Sequence, residues 1–150
     1  AANTRGPAVP AREVGACGMT LRWKKSPGEE CYTARNHTGH SECSPYILLT
    51  VTLISDEFGC RWLWQAGVWF PRDPKRDNRA YWYGLVAGHT ETRPIPQVED
   101  SCEAEPTVWR IQDDRGKAQM KAREAMNEAI QRGVIAQVLR EWNAEARAWA

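Results

Sequence analysis

The sequence predicts an α+β fold, in which an antiparallel sheet of about five strands packs against one kinked helix or two helices at the C-terminus. Three observations lead to this prediction. Short segments with alternating apolar and polar residues fill most of the first two thirds of the 150 residues. Loops rich in Pro, Gly and charged residues separate these segments, and strong helix formers dominate the last third. We expect one domain, since a chain of this length buries about 70% of its unfolded surface.

Within that domain, we expect an extended arm at 1–17, a mostly β region at 19–112 and a helical region at 113–150. The strand predictions are residues 19–24, 46–55, 60–70, 80–88 and 107–112. The first alternates strictly, whereas the second is β-branched and apolar on both faces, as in a central strand. Gly84 is expected at a bulge or at a close approach of another group, because glycine packs nothing in a strand interior. Residues 28–45 are predicted to be a polar loop.

The helical region is predicted to begin at Asp113 and Asp114, whose carboxylates suit a helix N-terminus. Gly133 is expected to end the first helix in a left-handed cap, and a second helix then follows over residues 134–149. One continuous helix is the alternative, since Gly costs only about 1 kcal/mol relative to Ala inside a helix. Three tryptophans are expected between sheet and helices: Trp109, Trp142 and Trp149.

Charge and motifs narrow the classes of function. The 20 basic and 19 acidic residues nearly balance, which argues against a protein that coats nucleic acid or is drawn to membranes by charge. The longest apolar run, residues 47–54, is far shorter than the roughly 20 residues of a membrane-spanning helix. The sequence lacks the familiar hydrolase, phosphate-loop, dinucleotide and zinc-protease motifs. We therefore favour a protein without enzymatic activity.

One loop carries four residues that can bind a metal ion: Cys31, His37, His40 and Cys43. Zinc prefers four nitrogen or sulfur ligands in a tetrahedron, and four protein ligands would make the site structural. The alternative interpretation is an exposed loop with incidental histidines and thiols. The sequence therefore raises a structural zinc site as a hypothesis.

The segment from 58 to 83 combines aromatic and basic side chains around a charged loop. Trp, Tyr and Arg are enriched where proteins bind one another, and aromatic rings also stack on bases. The predicted partner-binding residues are Trp69, Arg72, Lys75, Arg76, Arg79, Tyr81, Trp82 and Tyr83. Residues 72–79 hold four basic and two acidic side chains, which is little support for phosphate binding.

The favoured function is a binding protein that engages a macromolecule, foremost another protein, through an aromatic and Arg-bearing sheet face and the loop at 70–79. A single-stranded nucleic-acid-binding protein, with or without a structural zinc, is the first alternative. A Cys/His-dependent enzyme, pairing Cys60 or Cys102 with His89, is the second.

The five cysteines favour a reducing compartment, because an odd number fits poorly with a fully paired disulfide framework. We therefore predict an intracellular protein. The chain begins with Ala, so a secreted or organellar protein released from a precursor stays open as an alternative.

Overall fold

The computed structural model describes residues 21–37, 43–75, 79–95 and 101–149, with the backbone alone for 37, 101–106 and 145–149. Its architecture is α+β, as predicted: a five-stranded antiparallel sheet and two C-terminal helices. The elements are β1 (Lys24–Lys25), β2 (Cys31–His37), β3 (Tyr46–Asp56), β4 (Gly59–Phe70), β5 (Tyr81–His89), α1 (Ser101–Gln131) and α2 (Val134–Trp149). The predicted arm at 1–17 lies outside the described residues.

The strands follow one another across the sheet in chain order, so each described strand pairs with its neighbours in sequence. A tight turn joins β3 to β4, and Gly59 takes a φ of +131° there, a conformation that L side chains rarely adopt. The Phe58 amide donates to the Asp56 carboxylate over 2.9 Å and closes this turn. A bulge shifts the β4–β5 register between Ala66 and Gly67, opposite the region of Gly84, where the sequence predicted it.

Both helices pack on one face of the sheet, which we call the helix face. The strands contribute buried aliphatic and aromatic side chains to it, and α1 contributes mainly alanines, whose small size lets the helix approach closely. The buried apolar residues are Ala34, Ile47, Leu49, Val51, Cys60, Trp62, Ala66, Val68 and Phe70 from the sheet and Ala118, Ala122, Met126, Ala129, Ile130, Ile135 and Val138 from the helices.

The number of strands agrees with the prediction, but two of the strands differ. β2 lies inside the segment predicted to be a polar loop, and residues 107–112 are helical instead of forming a fifth strand. Among the side chains of β2 that the structure describes, 31–36, only Ala34 is fully buried, so the strand has little of the hydrophobic alternation that marks strands in a sequence. β1 (Lys24–Lys25) shares only Lys24 with the first strand predicted over 19–24, and residues 19 and 20 lie outside the described residues.

Helix α1 begins at Ser101, twelve residues before the predicted start at Asp113. Asp114 is consequently not a cap but a mid-helix residue, buried to 3% exposure on the face toward the sheet. Asp114 is an acidic residue among the apolar residues on the buried side of α1, so it interrupts the apolar periodicity that marks a helix in a sequence. The start of the helix was therefore predicted too late in the chain. The predicted helix end is confirmed, because α1 stops at Gln131 and Gly133 has a φ of +76°.

Of the three tryptophans predicted to lie between sheet and helices, one is found there and one is not. Trp142 packs against Phe70 with ring centroids 5.6 Å apart, as expected of the interface between sheet and helices. Trp109, in contrast, is 61% exposed, so its predicted place in that interface is wrong. The side chain of Trp149 lies outside the described residues. Within the described part of the chain, no helix is both long enough and apolar enough to cross a membrane.

Candidate functional site

The second face of the sheet, which we call the outer face, lacks a helix layer among the described residues. On β3 and β4 its side chains are half-buried, whereas those on the helix face are mostly buried. Side chains alternate between the two faces along each strand, and directly opposed residues of antiparallel strands point to the same face. The strand register therefore shows which residues lie on the outer face. Large apolar groups on the outer face are Tyr46, Leu48, Ile54, Leu63, Trp69 and Trp82.

The strand register aligns three of these aromatic residues across neighbouring strands. Tyr46 of β3 lies opposite Trp69 of β4, and Trp69 lies opposite Trp82 of β5. Directly opposed side chains in a sheet have Cβ atoms about 5 Å apart, so the Cβ atoms of these three residues lie in one row across the three strands. We call Tyr46, Trp69 and Trp82 the aromatic row. The Arg35 guanidinium lies 5.4 Å from the centre of the Tyr46 ring, in cation–π contact.

Trp82 lies flat on the sheet because two glycines leave room for its indole. A Cβ atom on Gly67 would lie 2.6 Å from the Cη2 atom of Trp82, and a Cβ on Gly84 would lie 3.1 Å from its Nε1 atom. The ring therefore spans the backbones of β4 and β5 and takes the space that side chains would fill. A shallow cavity of about 230 Å³ adjoins it, with Gln65 and Ala87 in its lining. The result is a broad, flat aromatic surface.

The loop at 71–80 brings basic side chains to the same end of the sheet as the aromatic row. It leaves β4 directly after Phe70 and enters β5 at Tyr81. Arg72, Lys75 and Arg79 are all exposed, and the Asp73 carboxylate accepts a hydrogen bond from the Lys75 amide over 3.0 Å. Arg76, also predicted to bind the partner, lies outside the described residues.

The structure separates the other two predicted aromatic residues from this row. Tyr81 and Tyr83 alternate with Trp82 and therefore point to the helix face. The Tyr81 ring stacks on Phe70 with centroids 4.6 Å apart and planes 14° apart, and Tyr83 lies opposite Val68. Each tyrosine is nevertheless 42% exposed, because β5 stands at the edge of the sheet. The predicted partner-binding set thus divides between two faces.

Two residues of the outer face escaped sequence reasoning: Tyr46 and Arg35. Tyr46 was predicted only as the start of a strand, and Arg35 as part of a loop. Tyr46 precedes Ile47, which is buried on the helix face, so the alternation of side chains along the strand indicates that Tyr46 lies on the outer face. No local pattern indicates that Tyr46 meets Trp69, since the register joins residues 23 positions apart.

The proposed zinc ligands do not assemble as one site. Cys31 and His37 occupy the two ends of β2, and six residues of strand span about 20 Å, too far for both to bind one ion. Cys31 instead accepts a hydrogen bond from the Thr52 hydroxyl, with 3.4 Å between Oγ1 and Sγ. His40 and the side chain of His37 lie outside the described residues, as do residues 41 and 42 that precede Cys43. Across the described ranges, no group of three or more His, Cys, Asp or Glu residues could hold a metal ion.

The Cys–His pairing also finds no support in the geometry of Cys60. Its side chain is 4% exposed on the helix face, with Sγ 3.2 Å from the Ser55 hydroxyl. His89 lies on the outer face in the row of Leu63, and its Nδ1 atom contacts the Thr90 carbonyl over 2.9 Å. Cys60 and His89 therefore point to opposite sides of the sheet. The side chain of Cys102 lies outside the described residues.

A buried ion pair marks the opposite end of the sheet, where the segment after β5 meets α1. Arg93 donates from Nε and Nη2 to the two carboxylate oxygens of Asp114, over 2.9 and 3.3 Å. These hydrogen bonds raise the pKa of the Arg93 guanidinium above its usual value. A cavity of about 350 Å³ beside the pair is lined partly by Trp64, Lys117 and Lys121. Sequence reasoning missed this pair, because its members are 21 residues apart.

Of the predicted partner-binding residues that the structure describes, Trp69 and Trp82 lie together on the outer face, and Arg72, Lys75 and Arg79 lie in the loop at the same end of the sheet. They combine flat rings and exposed cations at one end of a sheet. No family model, curated protein or solved structure matches this chain. The candidate site is therefore identified only from the positions of its residues in this structure.

Proposed function

We propose that this chain is a binding protein without enzymatic activity, and that it engages a protein partner through the aromatic row and the loop at 71–80. The observation that carries the proposal is the register of β3, β4 and β5, which sets Tyr46, Trp69 and Trp82 side by side on a face without a described helix layer. An intracellular location belongs to the same proposal, and it fits with Cys31 and Cys60, neither of which is in a disulfide.

The chemistry of this end of the sheet supports a protein partner with an apolar centre and acidic surroundings. Trp and Tyr supply large contact areas at little cost in side-chain entropy, and together with Arg they dominate the binding energy of protein interfaces. Arg35, Arg72, Lys75 and Arg79 are exposed near the rings. A strand-borne row is also rigid, which lowers the entropy lost on binding.

Charge favours a protein over single-stranded nucleic acid. Affinity for phosphates grows with the number of cations that release counterions. The loop at 71–80 places Asp73 and Asp77 among its basic residues. On the outer face, Arg61 is already paired with Asp56 over 3.0 Å. The exposed Arg35, Arg72 and Lys75 suit a few specific ion pairs better than a phosphate backbone.

The experiment compares two variants, each with one tryptophan replaced by alanine. Trp69→Ala removes the centre of the aromatic row, and Trp109→Ala, the matched control, removes an exposed indole from α1. Both proteins are used as baits in extracts of the source organism, and candidates that bind directly are then titrated with purified bait. We expect Trp69→Ala to weaken the direct complex by about 30-fold, a typical hot-spot loss. Trp109→Ala should bind like the unmodified protein.

Two outcomes would contradict the proposal. The first is a complex that both variants weaken equally, or that neither weakens. The second is tight binding of a single-stranded oligonucleotide that Trp69→Ala abolishes and that falls steeply between low and high salt. That result would assign the aromatic row to nucleic acid. Circular dichroism of both variants shows whether the fold is retained.

A further inference from the structure

The cavity beside the Arg93–Asp114 pair is a second candidate site, at the opposite end of the sheet from the aromatic row. Its volume is about 350 Å³, within the roughly 300–1,000 Å³ of most small-molecule sites. β4 and β5 line it with Trp64 and Gly88, and α1 lines it with Lys117 and Lys121. It therefore lies between the helix face of the sheet and α1, and its size fits a small organic molecule.

Trp64 gives this cavity a flat apolar wall. A Cβ atom on Gly88 would lie 2.6 Å from the Cζ2 atom of the Trp64 indole and 3.1 Å from its Nε1 atom, so the ring lies against the bare backbone of β5. The indole is half-buried, and its Nε1 hydrogen has no acceptor among the described residues. The Trp62 Nε1 atom, in contrast, donates to the Ile111 carbonyl over 2.7 Å. A planar ring is the ligand group that packs best on such a wall.

The charges around the cavity leave one cation without a partner. The Arg93 guanidinium pairs with Asp114 over 2.9 Å and with Glu91 over 3.4 Å. The Lys117 ammonium lies 3.8 Å from the Asp114 carboxylate, so two cations face two carboxylates. Lys121 forms no ion pair or hydrogen bond with any residue that the structure describes. It follows Lys117 by one helical turn, a spacing at which like charges destabilise a helix. The cavity therefore suits a ligand with a single negative charge.

We propose that this cavity binds a small cyclic monocarboxylate, with its ring against Trp64 and its carboxylate on the Lys121 ammonium. A carboxylate carries the one negative charge that Lys121 can neutralise, and it accepts charge-assisted hydrogen bonds. A phosphate monoester carries close to two negative charges at neutral pH, and the second charge would be repelled by Asp114 and Glu91. The charge balance therefore favours a carboxylate over a phosphate.

Calorimetric titration with three probes of the same ring tests the ligand class: β-naphthoate, the neutral β-naphthamide and β-naphthyl phosphate. We expect β-naphthoate to bind with a Kd of about 1 mM or lower. β-Naphthamide should bind at least about tenfold more weakly, because a neutral amide forms no ion pair with Lys121. β-Naphthyl phosphate should bind no more tightly than β-naphthoate. The cavity uses the helix face and α1, so this proposal and the proposed function can fail independently.

NMR spectra of isotope-labelled protein locate the bound probe. The indole N–H signal of Trp64 is assigned by its loss in Trp64→Phe, and the backbone amide of Gly88 is a second reporter that does not depend on that variant. Both signals should shift as β-naphthoate is added. The indole signals of Trp69 and Trp82 should not shift, because these residues lie on the outer face.

Substitutions of Lys121, an exposed residue of α1, test the ion pair. Lys121→Gln should raise the Kd of β-naphthoate about tenfold, the usual loss for a hydrogen bond to a charged group, and leave that of β-naphthamide unchanged. Lys121→Arg keeps the charge and should bind β-naphthoate more tightly than Lys121→Gln. The matched control is Lys24→Gln, which neutralises an exposed lysine of β1 at the other edge of the sheet and should leave the Kd unchanged.

Five results would each overturn the proposal. The calorimetric ones are no binding of β-naphthoate below about 10 mM, equal affinities for β-naphthoate and β-naphthamide, and tighter binding of β-naphthyl phosphate than of β-naphthoate. The fourth is a set of NMR shifts confined to Trp69 and Trp82, which would place the probe on the aromatic row. The fifth is the same Kd of β-naphthoate for Lys121→Gln and Lys24→Gln.

Discussion

The ion pair between Arg93 and Asp114 gives the sharpest prediction about stability. It fastens the segment after β5 to the middle of α1, and Arg93 also exchanges two backbone hydrogen bonds of 2.7 Å with Cys60 at the start of β4. Substitution of either side chain leaves those backbone bonds in place. Each substitution therefore changes side-chain contacts alone, which include the weaker ion pairs of Arg93 with Glu91 and of Asp114 with Lys117.

The two substitutions are expected to differ in cost. Arg93→Ala removes the guanidinium from the Asp114 carboxylate, which is 3% exposed in the intact protein, and leaves the Lys117 ammonium 3.8 Å away. Breaking a buried pair costs about 3–5 kcal/mol, and the nearby Lys117 favours the lower end. Asp114→Ala leaves Arg93 with a side chain 20% exposed and Glu91 at 3.4 Å, so we expect about 2 kcal/mol, as for a lost hydrogen bond to a charged group.

A double-mutant cycle measures the pair itself. With both side chains removed, no buried charge remains unpaired, and the double variant should cost about 3 kcal/mol, which gives a coupling energy of about 2 kcal/mol. Urea unfolding followed by tryptophan fluorescence supplies the free energies. The control is Arg132→Ala, which removes an exposed pair with Glu128 of 2.7 Å and should cost less than about 0.5 kcal/mol. A coupling as small as that control, or a larger cost for Asp114→Ala than for Arg93→Ala, would refute the reasoning.

Two further predictions concern the sheet. Gly67→Ala should lower the free energy of unfolding by about 2 kcal/mol or more, because its Cβ would collide with the Tyr83 carbonyl. Gly84→Ala should lower it by about 1 kcal/mol or less. Equal costs of the two substitutions in urea unfolding would contradict this prediction. The Phe58 amide lowers the pKa of the Asp56 carboxyl below 3.8, so this stabilisation is present above pH 3.8 and is lost as pH falls through the lower folded value. An NMR titration that put the midpoint of Asp56 at or above 3.8 would contradict it.

Sequence patterns predicted the parts of the fold that carry a strong local signal. β3 and β4 are long, β-branched or aromatic, and their observed bounds lie within one residue of the predicted ones. Gly133 was predicted to end a helix, since only a residue tolerant of positive φ suits that position, and its φ is +76°. β2 escaped prediction because, of its described side chains at 31–36, only the small Ala34 is fully buried.

The candidate site was predictable in its composition but not in its arrangement. Trp69 and Trp82 were identified from the sequence beside the basic loop, yet Tyr46 was not. Tyr81 and Tyr83 were grouped with Trp69, although they point to the other face. These four residues were grouped because they lie on either side of one loop in the sequence. The alternation of side chains along β5 places the two tyrosines on the face opposite to that of the two tryptophans.

The sequence by itself determined the α+β class, the central hairpin of β3 and β4, the irregularity near Gly84 and the break in the C-terminal helical region at Gly133. These features follow from periodicity and from the backbone freedom of glycine, which act over a few residues. Only the tertiary structure decided the start of α1, the burial of Asp114 against Arg93 and the alignment of Tyr46 with Trp69 and Trp82. Each of these depends on contacts between residues distant in the chain, where strand register and the pairing of a buried charge outweigh local preference.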